Sequence, residues 1–307
     1  MSVRILVDSA SYIPEDELAR HDIRRFSMVL VEGDRQTPEL DIDYTEFYAH
    51  LAQVDYLPTT SLPSPQEIRA HITDILDEGH DVLGVFLPAT FSGVVATFTM
   101  VAEQLATEDP TLRGRIDVVD GGSPCMEAGF AALAAARCSE AGGTLAECAA
   151  AAEASKERSR FLFAPRTLTY LERGGRIGRA SALLGGLLKL VPVLTVEDYY
   201  TSTYTKVRTW PKALMTIKEK LVADIEASGG LRDIIVHYIA EPQEATAFCQ
   251  NVIEPLVGHP VRVVPIGPVV GAHVGPAVGV VYETVDPIAP LHGESILNRL
   301  GGAVRSQ

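Results

Sequence analysis

Long apolar runs, cysteine and positive charge are all scarce in this chain of 307 residues. No run reaches the roughly 18 consecutive apolar residues that a membrane span requires. The opening MSVRILVDSA has no apolar core followed by a small-residue cleavage site. The expectation is a soluble, cytoplasmic protein. Cysteine occurs only as Cys125, Cys138, Cys148 and Cys249, at gaps far from C-x-x-C. Neither a zinc site nor a disulfide framework is expected, and buried free thiols are the plain reading. Acidic residues outnumber basic ones by 40 to 26, a formal charge of −14. That field repels nucleic acid and anionic lipid surfaces, so nucleic acid is not an expected partner. An anionic ligand would need a local site working against the field, built from hydroxyls, backbone N–H groups or a helix N-terminus. The phosphate patterns G-x-x-x-x-G-K-[ST] and G-x-G-x-x-G are missing, as is the G-x-S-x-G of many hydrolases.

What is present is a rhythm. The hydrophobic set makes up 47% of the chain, enough for one large core or two ordinary ones, and two domains are expected. Ile5-Leu6-Val7 is a short apolar run ending in Asp8-Ser9-Ala10-Ser11, which reads as a central parallel strand and its loop. Similar runs at Val82 to Leu87, Ile116 to Val119 and Phe161 to Phe163 alternate with helical patterns, predicting an α/β layer with a parallel sheet over residues 1–163. Segment 21–60 lacks a clean period and reads as an excursion from that sheet. Ser64-Pro65-Gln66-Glu67 combines a cap serine, proline at the first helical position and a glutamate three residues on. Ser92-Gly93 precedes a second helical face, an alanine-rich helix spans 125–141, and Thr144 to Glu147 opens another. After residue 164 the texture changes. Alternation over Thr203 to Arg208 predicts half-exposed antiparallel strands, with further strands at Ile234 to Ile239, Val261 to Ile266 and Val278 to Tyr282 and a helix over 211–227. The second domain, 164–285, is expected to be α+β with a mostly antiparallel sheet. Residues 286–307 form a tail without a strong signal.

Three loops hold hydroxyls or histidine beside glycine or proline: Thr59 to Pro65, Thr90 to Gly93, and Gly271 to Pro276. If the first two sit at helix starts on one edge of a parallel sheet, their hydroxyls and free N–H groups converge on the usual ligand crevice, a geometry that suits a carboxylate. The plainer alternative is that Ser64, Thr90 and Ser92 only cap helices. His273 could be a satisfied core histidine or a functional one. Arg166, Arg173, Arg176 and Arg179 make a basic island around Gly174-Gly175, either a solvated turn or a surface for an anionic headgroup or acidic partner. Leu183 to Leu190 is apolar nearly all round; if helical, it must be covered by core or by a bound hydrocarbon.

Several segments together resemble the DegV family of fatty-acid-binding subunits. Val7-Asp8-Ser9-Ala10-Ser11-Tyr12-Ile13-Pro14 is similar to its opening D-S-x-x-x-x-P, Thr60-Ser61-Leu62-Pro63-Ser64 to its T-S-x-P-S loop, and Phe91-Ser92-Gly93 to its L-S-G turn. Gly174 to Ile177, Lys206-Val207-Arg208 and Gly271 to Pro276 complete six motifs in family order. The resemblance implies a carrier with its ligand in the cleft between two domains. A long-chain fatty acid would have its carboxylate at Thr60, Ser61, Ser92 and Gly93, with His273 in the same polar network and Arg176 on the partner-facing surface. It also implies no catalytic residues, metal or cofactor of its own. The implied partner is an ATP-dependent fatty acid kinase subunit that makes acyl phosphate for phospholipid synthesis, with transient membrane contact while the ligand is collected. Two rival readings stay open: a serine hydrolase with Ser92 as nucleophile and His273 as base, and a nucleotide-binding or regulatory module.

Overall fold

A computed structural model of the chain describes residues 2–184 and 190–291. Its first sheet is parallel, made of β1 (Val3–Asp8), β2 (Arg24–Phe26), β6 (Asp81–Phe86) and β7 (Ile116–Asp120) in the order β2-β1-β6-β7. β1 and β6 are apolar at almost every position because helices cover both faces. α1 (Glu15–Arg20) connects β1 to β2, while α3 (Pro65–Asp77) and α4 (Val94–Glu108) pack on each other and on β6. The cap at Ser64 is reciprocal: Glu67 N–H donates to Ser64 Oγ (3.3 Å) and Ser64 N–H to the Glu67 carboxylate (2.7 Å). Thr144 and Glu147 repeat it at the next such start.

Within the segment read as an excursion, β2 returns to the edge of the parallel sheet. β3 (Val29–Glu32), β4 (Arg35–Pro38) and β5 (Thr59–Ser61) form a separate antiparallel sheet, order β4-β3-β5, with α2 (Tyr44–Leu51) between β4 and β5.

α5 (Met126–Glu140) and α6 (Leu145–Arg158) form a hairpin lying between the parallel sheet and a third sheet, touching strands of both. Alanine makes this layer thin: Ala128, Ala131, Ala132, Ala135 and Ala136 are all buried, so the helix is covered on nearly every side without pushing the sheets apart.

The third sheet comprises β8 (Ser159–Pro165), β9 (Val191–Glu197), β10 (Tyr200–Val207), β11 (Leu231–Ile239), β12 (Arg262–Pro265) and β13 (Ala277–Thr284). Its order is β10-β9-β8-β13-β11-β12, antiparallel except between β11 and β12. The protein is thus mixed α/β, with a parallel N-terminal region and a mostly antiparallel third sheet. Phe161 to Phe163, expected in the parallel layer, belongs to β8 and pairs antiparallel with β13. Phe161 and Phe163 face the α5–α6 layer, while Leu162 and Ala164 face the core under α8 (Trp210–Ala227) and α9 (Pro242–Phe248). A strand buried on both faces is apolar throughout in either kind of sheet, so composition could not assign it. A boundary at residue 163 cuts this strand, and we place the division between the two units ahead of Ser159.

Shorter helices complete the fold: α7 (Thr169–Arg173), α10 (Glu254–Val257) and α11 (Pro268–Val274). Of the apolar stretch Leu183 to Leu190, residues 185–189 lie outside the described residues; Leu183 is buried and Leu184 exposed. Residues 292–307 of the tail also lie outside them. Among the described residues no helix is long and apolar enough to cross a membrane.

Candidate functional site

The connections leaving β1 and β6 depart to opposite sides of the sheet, which opens a crevice at the carboxyl ends of these neighbours. Asp8 closes β1 there. Its buried carboxylate accepts the N–H of Ala10 (2.9 Å) and of Leu87 (2.8 Å), tying the loop after β6 to the loop after β1. Burial pushes this carboxyl up to about 7, and the two N–H groups oppose the shift. Ser9 accepts from Met28 N–H (3.0 Å) and donates to Glu39. Glu39, buried and raised in pKa by that burial, also accepts from Tyr12 Oη (2.9 Å) and from Val269 N–H (2.8 Å) in the first turn of α11. The Asp8-Ser9 pair is therefore scaffolding. It sets the loop that carries Ser92 and, through Glu39, the helix that carries His273.

These supports bring three segments together. Thr60 comes from β5, Ser92 and Gly93 from the turn before α4, and His273 from the last turn of α11. Thr60 Oγ1 and His273 Nε2 share a hydrogen bond of 2.8 Å. Leu62, just past β5, lies 3.8 Å from where a side chain on Gly93 would begin, so the two hydroxyl-bearing turns touch. Ser92 Oγ accepts from Val94 N–H (3.3 Å), which leaves its own proton available to donate. Ser61 donates to Leu62 O (3.1 Å) and is exposed. Burial, with Arg176 adding to it, holds His273 down at about 4, so the ring is neutral at physiological pH. Its Nδ1 is buried without a hydrogen-bond partner, against Gly174, where a Cβ would stand only 2.5 Å away. Glycine is required at that position for the ring to fit.

Arg176 reaches across the mouth. Its Nε and Nη2 donate to Phe91 O (3.2 and 3.0 Å) and its Nη1 to Gly174 O (2.6 Å). Expected on a partner-facing surface, it lines the cavity and the outer depression beside it, half-buried.

Behind this mouth lies a cavity with about 930 Å³ of empty space, its solvent-open part included. Its inner wall is largely apolar: Phe161, Phe163, Ile239, Ala277 and Gly279 from the third sheet, Val269 and Val270 from α11, and Leu87 and Pro124 from the parallel side. Gly279 lets the neighbouring strand and its phenylalanines pack close, since a Cβ there would come within 2.7 Å of the Phe161 ring and 2.9 Å of Phe163 Cβ. His237 also faces the cavity but is spent. Its Nδ1–H donates to Val264 O (3.0 Å), its Nε2 accepts from Met126 N–H (3.4 Å), and burial lowers it to about 4.

Thr60, Ser61, Ser92, Gly93 and His273 thus all border one cavity. Their settings differ from those expected: Thr60 is on a strand instead of at a helix start, and His273 is helical, not in a loop. Thr90 is drawn away by donating to Tyr199 O. The basic island is dispersed, with Arg166 stacked on Trp210 (3.6 Å) and paired with Glu244, and Arg179 paired with Asp198 (3.1 Å). In a serine hydrolase the histidine's two nitrogens face nucleophile and acid; here one is on Thr60 and the other has no partner. Among the described residues no group of His, Cys, Asp and Glu could hold a metal ion. No periodicity or motif in the sequence singles out Glu39, Tyr12 or the inner face of the third sheet. The D-S pair after β1 was the available signal for the first two.

A family model described as the DegV family matches residues 2–285. A DegV domain-containing protein of Clostridium acetobutylicum is 35% identical over 285 residues, 92% of this chain and 98% of that one. One of Streptomyces coelicolor is 36% identical over 285 residues, covering 92% and 98%. Among solved structures, a DegV family protein from Thermus thermophilus described by its fatty acid binding superimposes with a TM-score of 0.82 at 28% identity, covering 92% of this chain and 99% of that one. DegV of Bacillus subtilis, described as a fatty acid binding protein, gives 0.81 at 27% identity with the same coverage.

Proposed function

The chain belongs to the DegV family, and from that membership we propose that it carries a long-chain fatty acid in the apolar cavity. The carboxylate would stand at the mouth, where Thr60 and Ser92 can donate to it. The observation that carries this reading is the pairing of a largely apolar cavity with a mouth of neutral donors: Thr60 bonded to a neutral His273, and Ser92 with its proton uncommitted. With its proton on Nε2, His273 donates to Thr60 Oγ1, and the threonine O–H is then free for the ligand. Burying about a dozen methylenes at roughly 0.8 kcal/mol each supplies on the order of 10 kcal/mol before binding costs. The tail provides affinity, and the hydroxyls fix the headgroup.

Neutral donors suit a group that must change from carboxylate to acyl phosphate. A bidentate arginine clamp would hold the oxygens against reaction, and the Arg176 guanidinium is occupied by backbone carbonyls. Outside the Thr60–His273 pair, a depression of about 470 Å³ walled by Arg173 and Arg176 would admit a phosphoryl donor. The reaction is then completed by a separate ATP-dependent kinase, and this chain acts as its lipid-binding subunit.

The test is equilibrium binding of a labelled long-chain fatty acid to lipid-stripped protein, followed by incubation with ATP and hydroxylamine trapping. Submicromolar binding, with trapped acyl phosphate only when a bacterial fatty acid kinase is added, supports the reading. Acyl hydroxamate formed with ATP and this chain alone refutes the division of labour, and absence of binding refutes the carrier role.

A further inference from the structure

The acyl cavity crosses the strands of the third sheet. Its floor takes in Thr201 on β10, Val196 on β9, Phe163 on β8, Gly279 on β13 and Ile239 on β11. Four strand intervals of about 4.8 Å separate the first from the last, roughly 19 Å in all, comparable to an extended long-chain acyl tail. Thr201 Oγ1 donates to Arg176 O (2.8 Å), which sets the β10 end beneath the mouth and leaves Ile239 at the far end.

Ile239 closes β11 and Ala277 opens β13, and the two are directly opposed in the antiparallel register. Both are buried in the same core cluster as Phe163. Gly279, two residues on from Ala277, meets the Phe163 side chain, so with a period of two the Ile239–Ala277 pair points into the cavity. The sheet ends there, because Ala240 turns the chain away at φ 73°. Beyond the pair lies a second cleft of about 1000 Å³, its solvent-open part included, with Tyr48, Leu51, Tyr170 and Trp210 in its walls. Ile239 and Ala277 border both spaces, so the partition at this point is one residue thick. The neighbouring Ile266 is backed instead by Tyr48, whose hydroxyl donates to Ile266 O (2.7 Å) and Gly267 O (2.9 Å).

We propose that Ile239 sets the upper length of the acyl chain: the end of the tail stops against it, short of the outer cleft. This rests on the carrier reading above. Lipid-stripped full chain is titrated with straight-chain saturated acids from dodecanoic to docosanoic by displacement of a fluorescent fatty acid. In the wild type each added methylene is expected to raise affinity by up to about fourfold, until a limiting length beyond which affinity falls. That limit is expected to move up by about two to three methylenes in Ile239→Ala, which vacates the space of as many side-chain carbons, and down by about as much in Ala277→Leu. In the wild type an NOE is expected between the isotope-labelled terminal methyl of the acid of limiting length and the Ile239 δ1 methyl. A limit that stays put in both variants, or affinity lost evenly at every length, overturns the proposal. So does an NOE from the terminal methyl to the Phe161 ring with none to Ile239. Should the variants fail to fold, the wild-type NOE decides. A wild type that binds no acid of the series refutes the carrier reading itself and this proposal with it, whereas binding with an unmoved limit refutes this proposal alone.

Discussion

His273 does its work uncharged. An ordinary histidine titrates near 6.5; this one is held at about 4 by burial and then by Arg176. NMR of its ring should show a midpoint close to 4, moving upward in Arg176→Ala, and a midpoint near the ordinary value would contradict the buried geometry. A base lowered on folding contributes stability that is present above its unfolded pKa and lost as pH falls toward its folded one. Asp8 behaves oppositely, because its carboxyl is raised to about 7. Its contribution is complete below the ordinary carboxylate range and disappears as pH rises through 7. The urea midpoint of Asp8→Asn should therefore vary less between about pH 5 and pH 8 than that of the wild type. Thr60 is tested by a pair of variants. Thr60→Ala loses the hydroxyl, weakening fatty-acid affinity by about 0.5–1.5 kcal/mol, roughly 2- to 12-fold, and Thr60→Ser should recover most of the loss.

At the scale of elements, α11 is positioned by a residue that does not border the cavity. Glu39→Ala would strip Val269 N–H and Ser9 Oγ of their buried acceptor, while Tyr12 Oη keeps Gly267 O (3.4 Å), a loss of about 1–3 kcal/mol for each group left unsatisfied. Unfolding midpoint and retained fatty acid should fall together. Ser64→Ala is the contrast: it removes a cap at the start of α3, should lower stability by about 1 kcal/mol, and should leave retention unchanged. The difference mirrors what could be read from the chain. Ser64 to Glu67 and Thr144 to Glu147 were legible because a capping box is made by residues three apart. β5 was not, since three residues show no period and the strand exists only through its pairing with β3. α11 reads as loop because Gly271 within it and Gly275 just past it are turn residues, although Gly267-Pro268 is a legible helix start.

For the whole molecule, alternating apolar runs and helices made the parallel layer legible, and alternation after Thr203 did the same for part of the antiparallel sheet. Which sheet owns Phe161 to Phe163 was not legible, nor was the cavity, because its walls are drawn from strands more than a hundred residues apart in sequence. The motifs located Thr60, Ser92 and His273, but not the Glu39 network that brings them together. That Phe161, Phe163 and Gly279 frame an empty space instead of a filled core is the claim on which the rest depends. The most direct measurement is denaturing extraction of the protein purified from a bacterial host, with the released lipid weighed by mass spectrometry. Close to one long-chain fatty acid per chain is expected, reduced in Thr60→Ala combined with Ser92→Ala while the fold persists. A wild-type protein that releases none, and takes up none when offered it, would contradict it.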